Sequence, residues 1–152
     1  MNVWFEIKVS YDKVGNKEIA KTTETYLINA VNFTEAETRI TMELEPFQSG
    51  EFEVLGIKKI KINELVRNEY GDRWYRAKIM FITYDEKSDT EKLLPYTYLI
   101  QSKSLQSAVE EAVESIAKTM GDYTIVSIVE TMIMDVFDYK SVTVLKQKII
   151  EN

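Results

Sequence analysis

Four segments of the chain recur in the same order, 70 to 72 residues further on. Trp4-Phe5-Glu6-Ile7-Lys8-Val9 reads against Trp74-Tyr75-Arg76-Ala77-Lys78-Ile79. Tyr26-Leu27-Ile28 reads against Tyr98-Leu99-Ile100, and Phe33 and Ala36 read against Leu105 and Ala108. Gly50-Glu51-Phe52-Glu53-Val54 reads against Gly121-Asp122-Tyr123-Thr124-Ile125. One such match carries little weight. Four in register point to an internal duplication, so the fold is expected to use one unit twice.

Within each copy the pattern changes period in the same way. Alternating apolar and polar residues predict a first strand over residues 3–11, and over 73–84 in the second copy. Polar turns follow, at residues 12–17 and 85–89, as in a hairpin. Second strands are expected over 22–30 and 95–101. The pattern then turns helical. Thr34-Glu35-Ala36-Glu37 reads as a capping box, and Ala36, Ile40, Leu44 and Phe47 form one apolar stripe. In the second copy the stripe is Leu105, Ala108, Ala112, Ile116 and Met120, with Ser104 or Ser107 as cap. Gly50 and Gly121 suit a left-handed helix terminus. Third strands are expected over 52–62 and 123–135.

The fold class that follows is α+β, a tandem duplication of a β-β-α-β unit. It predicts two three-stranded, mainly antiparallel sheets in strand order 2-1-3, or one combined sheet, each with one helix. Residues 1–66 are the first repeat, 67–72 a connecting turn, 73–138 the second repeat, and 139–152 a C-terminal extension.

The first strands then divide into two faces. Phe5, Ile7 and Val9, with Tyr75, Ile79 and Phe81, are assigned to the helix-covered side. The opposite face carries Trp4, Glu6 and Lys8, and Trp74, Arg76 and Lys78. The third strands read as apolar on both faces: Val54, Ile60 and Ile62 against Leu55 and Ile57, and Ile125, Val129 and Ile133 against Val126, Ile128, Met132 and Met134. A strand of that kind is usually covered on both sides. Three readings of the second face follow: the two sheets close over the Trp rings as core, it is an oligomer interface, or Trp with Lys and Arg forms a platform for nucleic-acid bases. The candidate interaction or nucleic-acid residues are Trp4, Lys8, Lys58, Lys59, Trp74, Arg76 and Lys78.

Composition narrows the chemistry. The chain has no Cys and no His. That excludes disulfides, thiolate chemistry, zinc-thiolate sites and iron-sulfur clusters, and it removes the usual general base at neutral pH. No metal or other cofactor is expected. Ser10-Tyr11-Asp12-Lys13 and Ser115-Ile116-Ala117-Lys118 both fit S-x-x-K, but the first runs into a turn, the second ends a helix, and no partner motif is present. Asp85, Glu86, Asp89 and Glu91 lack calcium-loop spacing and read as a solvated hairpin loop. No phosphate-binding Gly-rich loop occurs. A formal net charge of -6 disfavours nucleic acid and anionic membranes. No apolar run is long enough to span a bilayer, and the alternating first ten residues read as a strand rather than a leader.

Several motifs together resemble a known family. They are Trp4-Phe5-x-x-Lys8-Val9, Phe33-Thr34-Glu35-Ala36-Glu37, Ser49-Gly50-Glu51-Phe52-Glu53-Val54 and Ile57-Lys58-Lys59. To these are added Gly71-Asp72-Arg73-Trp74-Tyr75-x-Ala77-Lys78, Phe81-Ile82-Thr83-x-Asp85-Glu86-Lys87 and Ile128-Val129-Glu130-Thr131-x-Ile133-Met134-Asp135-Val136. Over about residues 2–138 the chain resembles a family of small proteins of unknown function from Bacteroidota and their phages. The resemblance implies a cytoplasmic protein, bacterial or phage-encoded, and it assigns no catalytic residue. The expected function is therefore a non-catalytic protein-interaction or self-associating module, with a protein partner or a second copy as ligand. The alternative is a single-stranded nucleic-acid binder using the Trp/Lys face.

Overall fold

The computed structural model describes residues 3–14, 19–119 and 121–139. Residues 15–17 of the first expected turn, Met120 of the helix stripe, and the extension beyond Tyr139 lie outside the described residues. The elements are β1 (Val3–Val14), β2 (Ile19–Ala30), α1 (Phe33–Leu44), a short 3-10 turn (Glu45–Phe47), β3 (Gln48–Ile60), β4 (Glu64–Val66), β5 (Arg73–Asp85), β6 (Thr90–Ser102), α2 (Leu105–Ala117), β7 (Asp122–Glu130) and β8 (Ile133–Phe137). The class is α+β.

Two compact units result. One takes the chain up to Ile60 and again from Ile133; the other takes Lys61–Met132. Each holds a four-stranded sheet, in order β3-β1-β2-β8 and β4-β6-β5-β7. The expected 2-1-3 arrangement is present in both, but the three-stranded sheets are corrected to four. The added strand runs parallel to its neighbour: β8 lies on β2 and β4 lies on β6. In the second copy the expected strand over 123–135 is broken at residues 131–132, so that its two parts belong to different sheets. In the first copy the strand ends at Ile60, and β4 occupies what reads in sequence as the approach to a turn. The compact units consequently do not follow the repeat boundaries 1–66 and 73–138.

The helices cover one face of each sheet as their stripes predict. Ala36, Ile40 and Leu44 pack with Phe5, Ile7, Val9, Tyr11, Tyr26 and Ile28. Ala108, Ala112 and Ile116 pack with Tyr75, Ala77, Ile79, Tyr98 and Ile100. Each large side chain fully buried in this way contributes about 1.5–3 kcal/mol of transfer free energy. Phe47 and Leu105 leave the stripes and are exposed. Phe47 does so because Pro46 has no N–H to continue the helical ladder, and the chain tightens into the 3-10 turn. Gly50 therefore sits inside β3 rather than at a helix end, with φ +98. The cap of α1 is also two residues earlier than the capping box suggests, at Asn32 rather than Thr34. Asn32 Oδ1 accepts the Glu35 N–H at 2.9 Å, while Ser104 caps α2 by accepting from Ser107 N at 3.1 Å.

A bulge recurs in both third strands. Lys8 faces Gly56 and Val9 faces Val54, leaving Leu55 as the extra residue. Lys78 faces Ser127 and Ile79 faces Ile125, leaving Val126. A bulge reverses the side-chain alternation beyond it. Val54 and Ile57 thus share the helix-covered core, as do Ile125 and Ile128, where strict alternation sets them on opposite faces. The same shift separates Ile60 from Val54 and Val129 from Ile125.

The connection 67–72 is tightly packed at Gly71. A Cβ there would lie 2.6 Å from the Ser102 backbone, so only glycine allows the chain to pass.

Candidate functional site

The sheet face turned away from each helix carries most of the sequence-derived candidates. In the first unit Trp4 stands opposite Asn29 and Ile60, Lys8 opposite Thr25 and Gly56, and Lys58 opposite Glu6. Residues opposite one another point to the same side of a sheet, so Trp4, Lys8 and Lys58 share this face. Lys59 does not. Its partner is Phe5, a core residue, which places Lys59 on the helix side. Lys8, Lys58 and Lys59 are exposed and Trp4 is half-buried.

In the second unit Trp74, Arg76 and Lys78 likewise share one face, opposite Gln101, Leu99 and Thr97. Arg76 and Lys78 are exposed, but Trp74 is only 1% exposed. Its carbonyl accepts both the N–H and the Oγ1–H of Thr131 at 2.8 Å, and the Arg67 guanidinium lies 5.8 Å from its ring. Leu27, Leu99 and Val136 are buried on the same faces. Trp74 therefore offers no ring face to an incoming base.

Two features were not foreseen from sequence. The first is a buried polar cluster in the first unit. Glu24, 8% exposed, sits opposite Val9 on the helix side. It accepts a hydrogen bond from the Tyr11 hydroxyl at 2.7 Å and a shorter one from Tyr26. Phe137 stacks on Tyr26 with ring centroids 5.7 Å apart. The positions matching Tyr11 and Glu24 in the second unit hold Phe81 and Tyr96, which meet edge-on at 4.9 Å. A carboxylate held by two phenols thus belongs to one unit alone. The available signal was Glu24 between core positions of a strand, where a polar residue needs a partner.

Burial, followed by the hydrogen bond to Glu24, pushes both the Tyr26 and Tyr11 phenols above their usual 10.0. A phenol with a raised pKa in the folded state keeps its stabilising contribution below the unfolded pKa and loses it as pH climbs above that value. The melting temperature should therefore fall as pH rises past about 10. Tyr26→Phe should be less stable at neutral pH by ~1–3 kcal/mol, the cost of taking a partner from a buried polar group, and its melting temperature should then fall less steeply. Parallel slopes for the two proteins would show that Tyr26 does not couple ionisation to unfolding.

The second unforeseen feature is an apolar hairpin arm. β6 begins at Thr90 rather than at residue 95, and β5 pairs with it as far as Asp85, whereas β7 stops opposite Ile82. Leu93 and Tyr84 are each 59% exposed on this arm, with Leu94 at 44%. Leu94 is opposite Phe81 and Leu93 opposite Ile82, so apolar groups project from both faces. The four acidic residues of the expected loop form its tip. Asp85 accepts from Lys87 N at 3.0 Å and pairs with Lys92 at 3.1 Å, and Asp89 takes φ 52.

Among the described residues no group of three or more Asp and Glu is placed to hold a metal ion, and no helix is long and apolar enough to cross a membrane. No curated protein matches the chain. Residues 3–139 match the family model described as "Domain of unknown function (DUF4494)", and the chain belongs to that family.

Proposed function

We propose that this chain is a non-catalytic protein-interaction module that self-associates through the β5–β6 arm. The observation that carries the reading is the arm itself: Tyr84, Leu93 and Leu94 are exposed on a hairpin that extends past its neighbouring strand. Contiguous exposed apolar groups rimmed by charge mark contact surfaces, and an uncovered strand edge adds unpaired backbone groups. The acidic tip favours a partner surface of opposite sign, which the exposed Lys8 and Lys58 of a second copy supply. In this reading the protein descends from duplication of a β-β-α-β unit, and it works in the cytoplasm of a bacterium, native or phage-infected, in keeping with the motifs it shares with such proteins.

The test is mass in solution as a function of concentration. The wild type should exceed the monomer mass, and Leu93→Lys with Leu94→Lys should return it to monomer while leaving the melting curve within about 0.5 kcal/mol, as for other surface changes. A wild type that stays monomeric at all concentrations would sink self-association.

The alternative, a single-stranded nucleic-acid binder, is supported by Trp4, Lys8 and Lys58 lying on one face, and weakened by the burial of Trp74 and the net charge of -6. Trp fluorescence quenched by an oligonucleotide, with quenching that fades as salt is added, would favour it.

A further inference from the structure

The outer edge of β6 is open towards the hairpin tip. β4 pairs with it at Tyr98, Leu99 and Ile100. Asn63 extends that contact to Thr97: its N–H donates to the Thr97 carbonyl at 2.9 Å, and its Oδ1 accepts the Thr97 N–H at 2.9 Å. Among the described residues no strand covers the outer edge from Thr90 to Tyr96.

In a strand the N–H and C=O of one residue point to one side, and those of the next residue to the other. Thr97 points outward, and the register of β6 on β5 runs without a shift from Thr90 to Ser102. Pro95, Leu93 and Glu91 therefore point outward too, and an added strand would bond to them. Pro95 has no N–H to offer. Its nitrogen faces away from β5, so the ladder between β5 and β6 loses no bond to it. That is why a proline is tolerated inside β6.

The segment is one that calls for such a break. Leu93-Leu94-Pro95-Tyr96-Thr97-Tyr98-Leu99-Ile100 carries no charge and combines apolar residues with strand-forming Tyr, Thr and Ile. Proline apart, that is the composition of a self-pairing strand, and Leu93, Leu94 and Tyr96 are exposed. The matching segment of the first unit, Lys21-Thr22-Thr23-Glu24-Thr25-Tyr26-Leu27-Ile28, has no proline and carries charge instead. Lys21 is exposed and stands opposite Asp12, where the second unit sets Leu93 opposite Ile82. Lysine and proline are two common ways of blunting an open strand edge, and each unit uses a different one.

We propose that Pro95 is a gatekeeper that closes the β6 edge to strand addition by a second copy of this chain. The missing N–H falls between Leu93 and Thr97, and Thr97 is already taken by Asn63. A second edge strand finds a complete pair of groups only at Leu93 and Glu91, beside the acidic tip, and very short edges do not sustain pairing. Copies that meet through the arm then do so by the side chains of Tyr84, Leu93 and Leu94, and the assembly stays finite. That last consequence rests on the self-association reading, whereas the closing of the edge does not.

The test compares the full-length wild type with Pro95→Thr at matched concentration, by sedimentation, thioflavin fluorescence and melting curve. Pro95→Thr returns an N–H at the outward position together with a β-branched side chain. It should melt like wild type, yet form sedimenting, thioflavin-positive assemblies several-fold faster. Adding Leu93→Lys, which copies Lys21 of the first unit, should bring the rate back to that of wild type. A Pro95→Thr variant as soluble as wild type would overturn the proposal, and so would assembly that Leu93→Lys leaves unchanged. Should Pro95→Thr melt lower than wild type, with unfolding as a second route to assembly, Pro95→Ala returns the same N–H and is judged by the same outcomes. Wild-type mass decides the self-association reading, and the contrast between wild type and the Pro95 variants decides this one.

Discussion

Replacing Trp74 by Ala should lower the stability of the protein by about 3–5 kcal/mol, the range found when a buried Trp or Phe is truncated and the cavity stays open. Trp74 is the largest fully buried side chain. It lies at the start of β5, and its backbone carbonyl anchors Thr131, which links β7 to β8. The indole is 1% exposed, with the Arg67 guanidinium 5.8 Å from its ring, so truncation removes a fully enclosed side chain. The half-buried Trp4 at the matching position of β1 should cost clearly less. Denaturant melts of the two single variants decide the point: similar losses for both would mean that Trp74 is no more enclosed than Trp4. The same measurement bears on function. If Trp74→Ala weakened oligonucleotide binding while leaving the melt unchanged, the indole would be acting as a stacking platform, and the interaction reading would have to give way.

A second large effect is expected at Leu44. Its side chain closes the last turn of α1 over the first sheet, in one core with Ile40 and Ala36. Leu44→Ala should cost about 2–5 kcal/mol. The helix supplies its own control, because Met42 lies two residues away and is exposed. Met42→Ala should fall within about 0.5 kcal/mol of wild type. The contrast matters more than either number. Both residues are apolar, and only the 3.6-residue period, read against the sheet, says which of them holds the fold together. Equal losses would show that the helix is rotated from the orientation described.

Much of this protein was legible in its residues alone, for a definite reason. Alternation in 3–9 and 73–79, followed by Ala36, Ile40 and Leu44 or Ala108, Ala112 and Ile116 at helical spacing, is local information. Each residue's burial there depends on neighbours one or two turns away. The hairpins, the helices, the faces they cover and the equivalence of the two halves all follow from it. So does the placing of Trp4 and Lys8 on one face, by a simple period of two, whereas Lys58 joins them only because of the bulge at Leu55. What the period cannot carry is an interruption. The extra residues Leu55 and Val126 reverse the alternation in midstrand, and they moved Ile57 and Ile128 into the core. Pro46, by removing one N–H, took Phe47 out of the helix stripe. Lys59 was grouped with Lys58 because they are neighbours in sequence, although neighbours on a strand point to opposite faces.

The destination of the fourth strands was decided only by tertiary structure. Residues 62–66 and 133–137 carry the same apolar pattern, so the pattern alone does not distinguish staying from crossing. The connections decide it: residues 61–63 and 131–132 are too few to carry the chain from β3 or β7 across two strands to the far edge of its own sheet. The burial of Trp74 and the pairing of Tyr11 and Tyr26 with Glu24 are likewise tertiary. Sequence by itself determined which residues are apolar and at what period, and therefore the elements and their covered faces. Tertiary structure decided which strand completes which sheet, because that depends on the order of strands in each sheet and on the span that a two- or three-residue connection can cover, to which a local pattern is blind.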